Sequence, residues 1–179
     1  MTVFEKAFAV VVGEEGGFDA TPADPGNWTG GAVGQGTLGG TKFGISAAAY
    51  PTLDIRALAL ADARAIYRRD YWDHVQGDAL PPPLALLVFD AAVNNGVGRA
   101  ARWLQTAVGV AADGEIGPAT LAALAAAVAR DGGGAGLCAE VLAQRMTFMA
   151  ALPTWRVFGL GWARRLCALP YRSLTMESP

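Results

Sequence analysis

Leu84-Ala85-Leu86-Leu87-Val88-Phe89-Asp90-Ala91-Ala92-Val93-Asn94 is apolar at every position except Asp90 and the terminal Asn94. So long an apolar run reads as a buried helix, and Asn94-Asn95-Gly96 ends it. Helical patterns lie on both sides. Val3 to Val12 stacks Phe4, Phe8 and Val12 at i, i+4 and i+8, and Gly16-Gly17 closes that helix. A second runs from about Ala61 to Trp72, with Ile66, Tyr67, Tyr71 and Trp72 as its apolar positions, before Pro81-Pro82-Pro83 forces a break.

Downstream, Ala100 to Val108 carries Trp103 and Leu104 on its inner face, and Pro118 is placed to start a helix near its N1 position. Leu137 to Ala150 and Trp155 to Leu169 follow, with Trp155, Phe158 and Trp162 read as packing positions of the last helix. Residues 19–44 differ in kind. They hold Pro22, Pro25 and eight glycines from Gly26 to Gly44, which predicts turns and one short hairpin. The expected fold is mainly α: a helical lobe with a small irregular or β-hairpin region over residues 1–95, then a helical C-terminal lobe over 96–179, packed with the first as one unit.

Hydrophobic residues make up 53% of the 179 and charged ones 17%, which supplies a core and excludes a disordered chain. No stretch approaches the roughly 18 continuous apolar residues of a membrane span, so no membrane insertion is expected. Cys138 and Cys167 read as reduced core residues, and the lone His74 excludes a zinc site built from several histidines. No metal and no cofactor are expected.

Residues 1–90 carry 6 basic and 11 acidic side chains, and residues 91–179 carry 8 and 5, with arginine the only basic type in the second half. That small basic excess reads as solvated surface, and a nucleic-acid partner is not expected. Gly34-Gln35-Gly36-Thr37-Leu38-Gly39 has the spacing of a dinucleotide fingerprint but follows no strand and opens no helix, so it reads as a flexible lip or a tolerated surface insertion.

The side chain with the clearest chemistry is Glu15. A carboxylic acid in apolar surroundings has its pKa raised, and so keeps a proton to donate near neutral pH. Glu15 follows Val11 and Val12 and precedes Phe18, while Gly16 and Gly17 leave room for a bulky substrate. Glu14 is its rival, although adjacent helical positions point about 100° apart, so only one of the two faces a cleft. Asp24 lies nine residues beyond Glu15, after a prolyl turn. A loop of that length can return a second carboxylate to the first, the pairing that glycoside hydrolysis uses. A loop aspartate also commonly satisfies its own backbone.

Glu15-Gly16-Gly17-Phe18, Pro22-Ala23-Asp24-Pro25-Gly26 and Thr41-Lys42-Phe43-Gly44-Ile45-Ser46 together resemble the signature of glycoside hydrolase family 108. Ala65 to Asp73 and Phe89 to Gly96 fit the same family, and Trp103-Leu104-Gln105 with Asp113-Gly114-x-x-Gly117-Pro118-x-Thr120 resembles its C-terminal peptidoglycan-binding region. The resemblance spans about residues 5 to 170 in the expected order. It implies a lysozyme-like α+β fold and an N-acetylmuramidase that cleaves the β-1,4 bond between N-acetylmuramic acid and N-acetylglucosamine.

Carried over by position, it makes Glu15 the general acid and implies a Glu, Asp, Thr constellation of Glu15, Asp24 and a threonine. Here Gly30 to Gly40 interrupt the pattern, so the third residue is Thr29 or Thr41. Thr41 is favoured because it keeps its spacing to Gly44-Ile45-Ser46. Tyr71, Trp72, Asp90, Asn94 and Asn95 are candidate substrate-binding residues, each set against a plain packing or helix-capping role; Arg99 ranks lower. The same bond is also the target of lytic transglycosylases, and a non-catalytic wall-binding component is the rival from another class.

The expected partner is bacterial peptidoglycan, met by a monomer. The opening Met1 to Lys6 lacks a basic n-region, so the chain is expected to be made in the cytoplasm without a signal peptide. It would then act in the periplasm or cell wall, with a holin or secretion system giving access.

Overall fold

A computed structural model describes residues 1–13, 17–131 and 134–176. Among them are seven α-helices and one two-stranded antiparallel sheet: α1 (Val3–Val11), β1 (Thr41–Lys42), β2 (Ile45–Ser46), α2 (Leu60–Tyr67), α3 (Pro82–Asn95), α4 (Val97–Val108), α5 (Pro118–Asp131), α6 (Ala135–Ala150) and α7 (Trp155–Ser173). The architecture is the mainly α, lysozyme-like one expected. Its chain forms two compact units, residues 8–67 and residues 1–7 with 68–179.

The larger unit is built round α3. Every residue from Leu84 to Ala92 is buried, because α4, α6 and α7 all pack against this helix. An all-round apolar sequence becomes a helix with no solvent face. The helix begins with Pro82 and Pro83 in its first turn, where a missing N–H breaks no intrahelical bond, and the chain turns at Gly96 directly into α4. Phe4, Trp72 and Phe89 form an edge-to-face cluster with centroids 5.4 to 6.0 Å apart.

The segment read as one helix from about Ala61 to Trp72 divides at Tyr67. α2 gives way to a π-helical turn over Arg68–Trp72, whose wider winding changes the helical register. Trp72 ends fully buried, donating its indole N–H to Asp78 Oδ1 at 3.0 Å.

In the C-terminal region, Gln105 ties Asp113, Gly114 and Thr120 together. Its buried amide donates to Asp113 Oδ1 at 2.6 Å and to the Glu115 carbonyl at 2.9 Å, and accepts from the Gly114 N–H at 2.8 Å. Asp113 is held below the ordinary carboxylate pKa, first by Gln105 and then by the Glu115 N–H. This loop delivers the chain to Pro118, where α5 starts as the sequence predicts.

α7 departs from expectation in three ways. It continues through Pro170 to Ser173, where Leu169, Ser173 and Met176 are buried and hold the chain against the lost backbone bond. Phe158 is 53% exposed, and Trp162 packs tilted against both Trp155 at 6.1 Å and Phe158 at 5.9 Å instead of filling the core. Cys167 is exposed and Cys138 half-buried, so neither is the buried core residue expected.

Candidate active site

In the smaller unit the site is assembled from loops around one buried amide. β1 and β2 pair Thr41 with Ser46 and Lys42 with Ile45, through a two-residue turn at Phe43 and Gly44. Both turn residues have positive φ, 51° and 74°, the geometry that matches strand twist in a tight hairpin. Glycine is required at position 44 for a second reason: a Cβ there would lie 2.5 Å from the Tyr67 hydroxyl, which donates to the Phe43 carbonyl. Ile45 and Ala47 are buried beneath the hairpin.

Thr41 also forms a reciprocal backbone bridge with Asp19, the two N–H···O bonds measuring 2.9 and 2.7 Å. Gly40 lets this bridge close, since a Cβ there would meet the Phe18 ring at 2.5 Å and the Asp19 carbonyl at 2.6 Å.

Asn27 is fully buried at the centre. Its amide nitrogen donates to Asp19 Oδ2 at 2.9 Å and to the Thr21 carbonyl at 3.1 Å. A carboxylate and a carbonyl can only accept, so the orientation of the amide is fixed and Oδ1 must face Thr41. The Thr41 hydroxyl, 2.7 Å away, therefore spends its single hydrogen on Asn27. Toward anything else, Thr41 Oγ1 acts as an acceptor. Asp19 in turn lies below its usual pKa of 3.8, through the Thr21 hydroxyl first, then Asn27 and the Thr21 N–H. The network thus keeps its ionised anchor at neutral pH.

Asp24 caps the 3-10 turn Pro25–Asn27, its Oδ1 accepting from the Gly26 N–H at 2.8 Å. That is the self-satisfying role open to any loop aspartate, and it also fixes the carboxylate at the exposed start of the turn that carries Asn27. Asp24 and Thr41 are both tied to Asn27, the first by its carbonyl accepting from the Asn27 N–H at 3.2 Å and the second by its hydroxyl.

The glycine-rich insertion is a closed excursion. Thr29 pairs with Thr37 through N–H···O at 2.9 Å, Trp28 bridges Leu38, and the N–H groups of Gly39 and Gly40 both return to the Asn27 carbonyl. The chain leaves and re-enters at Asn27, so the extra residues leave Thr41 beside it. Thr29 Oγ1 is committed inside the loop, accepting from the Thr37 N–H at 2.8 Å. Six backbone bonds within residues 27–40 close the loop on itself, where the glycine content suggested a flexible lip or a tolerated surface insertion. Glu14 and Glu15 lie outside the described residues.

The remaining candidates belong to the larger unit. Asp90 is fully buried and holds two arginines: Arg145 Nη1 at 2.6 Å from Oδ1, and Arg165 Nε at 2.9 Å from Oδ2. Arg145 Nε also donates to Asn95 Oδ1 at 2.7 Å, and Asn94 donates back to the Asp90 carbonyl at 2.8 Å. Desolvation lowers the Arg145 pKa, and the attraction of Asp90 opposes it. These groups form a structural junction between α3, α6 and α7. Trp72 is core, Tyr71 and Asn95 are half-buried, and Asn94 is exposed. Among the described residues no cluster of three or more His, Cys, Asp or Glu side chains is grouped to hold a metal ion.

Sequence reasoning missed Asp19, Asn27 and Arg145. Asn27 reads as one more turn residue; Arg145 carried a signal, being the sole basic residue in α6.

The fold is similar to the solved structure of Brucella abortus SagA, with a TM-score of 0.77 at 33% identity across 98% of this chain and 96% of that one. No curated protein sequence matches. The model of the glycosyl hydrolase 108 family matches residues 8–96, and that of a predicted peptidoglycan domain matches residues 99–167. With the Glu-Gly-Gly, Asp-Pro-Gly and Gly-Ile-Ser elements in order over the first region and the Asp113–Thr120 loop in the second, the chain belongs to the glycosyl hydrolase 108 family and is a glycoside hydrolase directed at peptidoglycan.

Proposed function

We propose that the enzyme is an N-acetylmuramidase that hydrolyses the β-1,4 bond between N-acetylmuramic acid and N-acetylglucosamine, acting in the periplasm as an endolysin-type wall hydrolase. Glu15 is its general acid. The observation that supports the reading is that Asp24 and Thr41 both hydrogen-bond the buried Asn27, Asp24 through its backbone carbonyl and Thr41 through its hydroxyl, although eleven residues, 30–40, are inserted between them.

In this reading Glu15 protonates the leaving glycosidic oxygen as the bond breaks and positive charge develops on the sugar ring. Asp24, with one oxygen anchored at the Gly26 N–H, presents the other to the developing charge or to water. Thr41, whose hydrogen is committed to Asn27, accepts a hydrogen bond from that water or from a sugar hydroxyl. An acceptor at this point orients the O–H of water so that its lone pair faces the anomeric carbon.

Glu15→Gln removes the proton donor with almost no change in shape. The variant is expected to bind peptidoglycan, keep its circular-dichroism spectrum and release no reducing ends; full activity would sink the assignment. Mass spectrometry of the wild-type products distinguishes hydrolysis from a lytic transglycosylase, which would leave anhydro-muramic ends.

A further inference from the structure

α7 presents to solvent a line of apolar residues with Arg164 at its middle. Val157, Leu160, Tyr171 and Leu174 are 75%, 68%, 76% and 67% exposed. With Arg164 and Cys167 they occupy alternating three- and four-residue steps, which on a helix form one line. Four of the eight exposed large hydrophobics of the described chain thus lie along this one line, so the face is concentrated and not scattered.

The charge along this stretch of the chain has a single sign. From Val141 to Met176 the sequence holds five arginines and no acidic residue. Arg145 and Arg165 are turned inward onto Asp90, whereas Arg156 and Arg164 are exposed and form no ion pair among the described residues.

Two features decide the occupant. A stripe over eighteen residues is about 26 Å long and about 10 Å wide, well short of the roughly 800 Å² per partner that a stable dimer buries. A second copy of α7 would also bring arginines toward arginines, and α7 itself carries no acid to oppose them. An anionic, laterally continuous apolar surface meets both conditions: it needs no minimum interface, and its phosphates complement Arg156 and Arg164 while Leu160, Tyr171 and Leu174 enter the acyl boundary. We propose that α7 lies on the surface of an anionic phospholipid bilayer as a peripheral, reversible membrane contact. No helix of the described chain is long and apolar enough to cross the bilayer, so the contact is interfacial.

The test is co-sedimentation of the purified full chain with vesicles, either phosphatidylethanolamine with phosphatidylglycerol or phosphatidylcholine alone, at low and high salt. Binding is expected on the anionic vesicles only and weakens with salt. Leu160→Gln and Arg164→Glu, both at exposed positions, are each expected to lower the partition about tenfold or more while circular dichroism and hydrolysis of soluble glycan fragments stay unchanged. Several results overturn the proposal: no binding by the wild type, equal binding to both vesicle types, or variants that bind as the wild type does. Light scattering that shows a dimer dissolved by Leu160→Gln assigns the stripe to a second copy instead. Retention on sacculi lost in these variants, with no vesicle binding, assigns it to the wall.

Discussion

Removing the Thr41 hydroxyl without changing side-chain shape, as in Thr41→Val, leaves the buried Asn27 Oδ1 without its donor and the site without its acceptor. An unsatisfied buried amide oxygen costs about 1–3 kcal/mol, and losing one hydrogen bond to a reacting group lowers the rate by roughly ten- to a hundredfold. Thr41→Ser keeps the hydroxyl and is expected to retain most of the activity of the parent. Kinetics on soluble glycan separate the two variants: equal losses in both would place the effect in the methyl packing and remove Thr41 Oγ1 from the reaction. The same arithmetic applied to Thr29→Val predicts no comparable loss of rate, because its hydroxyl oxygen serves the Thr37 N–H inside the inserted loop.

At the scale of elements, Asp90 fastens α3 to α6 and α7 by holding Arg145 and Arg165 with one carboxylate. Arg145 is 1% exposed and its Nη2 is buried without a hydrogen-bond partner among the described residues, and two arginines on one carboxylate give the described junction more positive than negative charge. Asp90→Asn removes the only counter-charge seen there among the described residues. Breaking one side of a buried ion pair costs about 3–5 kcal/mol, whereas replacing both sides by apolar groups is often neutral. Urea denaturation is therefore expected to show a large loss for Asp90→Asn and recovery of most of it in Asp90→Leu/Arg145→Met. A double variant as unstable as the single one would show that the polar geometry itself specifies this helix junction.

For the molecule as a whole, α3 belongs by sequence to the glycosyl hydrolase region and by packing to the helices that follow it. Leu84 to Ala92 are buried by α4, α6 and α7, so a fragment of residues 1–95 would expose an all-round apolar helix. Expressed alone, that fragment is expected to aggregate or to lack the cooperative thermal transition of the full chain. A soluble 1–95 fragment with a sharp unfolding transition would show that α3 finds a sufficient core without its later partners.

Local patterns fixed much of the architecture. The apolar run at 84–92 dictated a buried helix, and the proline and glycine punctuation placed α5 and the turn into α4, because each depends on side chains within a few residues. The Glu15, Asp24 and Thr41 elements were legible through their order along the chain. Tertiary structure decided what their neighbours do. Asn27 gathers Asp19, Thr21 and Thr41 from separate loops, and Asp90, a plausible sugar ligand by position, is enclosed by arginines 55 and 75 residues away. No periodicity records such partners, since a buried polar group is satisfied by whatever the fold brings within hydrogen-bond reach. The outward face of α7 was hidden for the same reason: Phe158 read as a packing position, and only the packing of the other helices left it, with Val157, Leu160, Tyr171 and Leu174, to solvent.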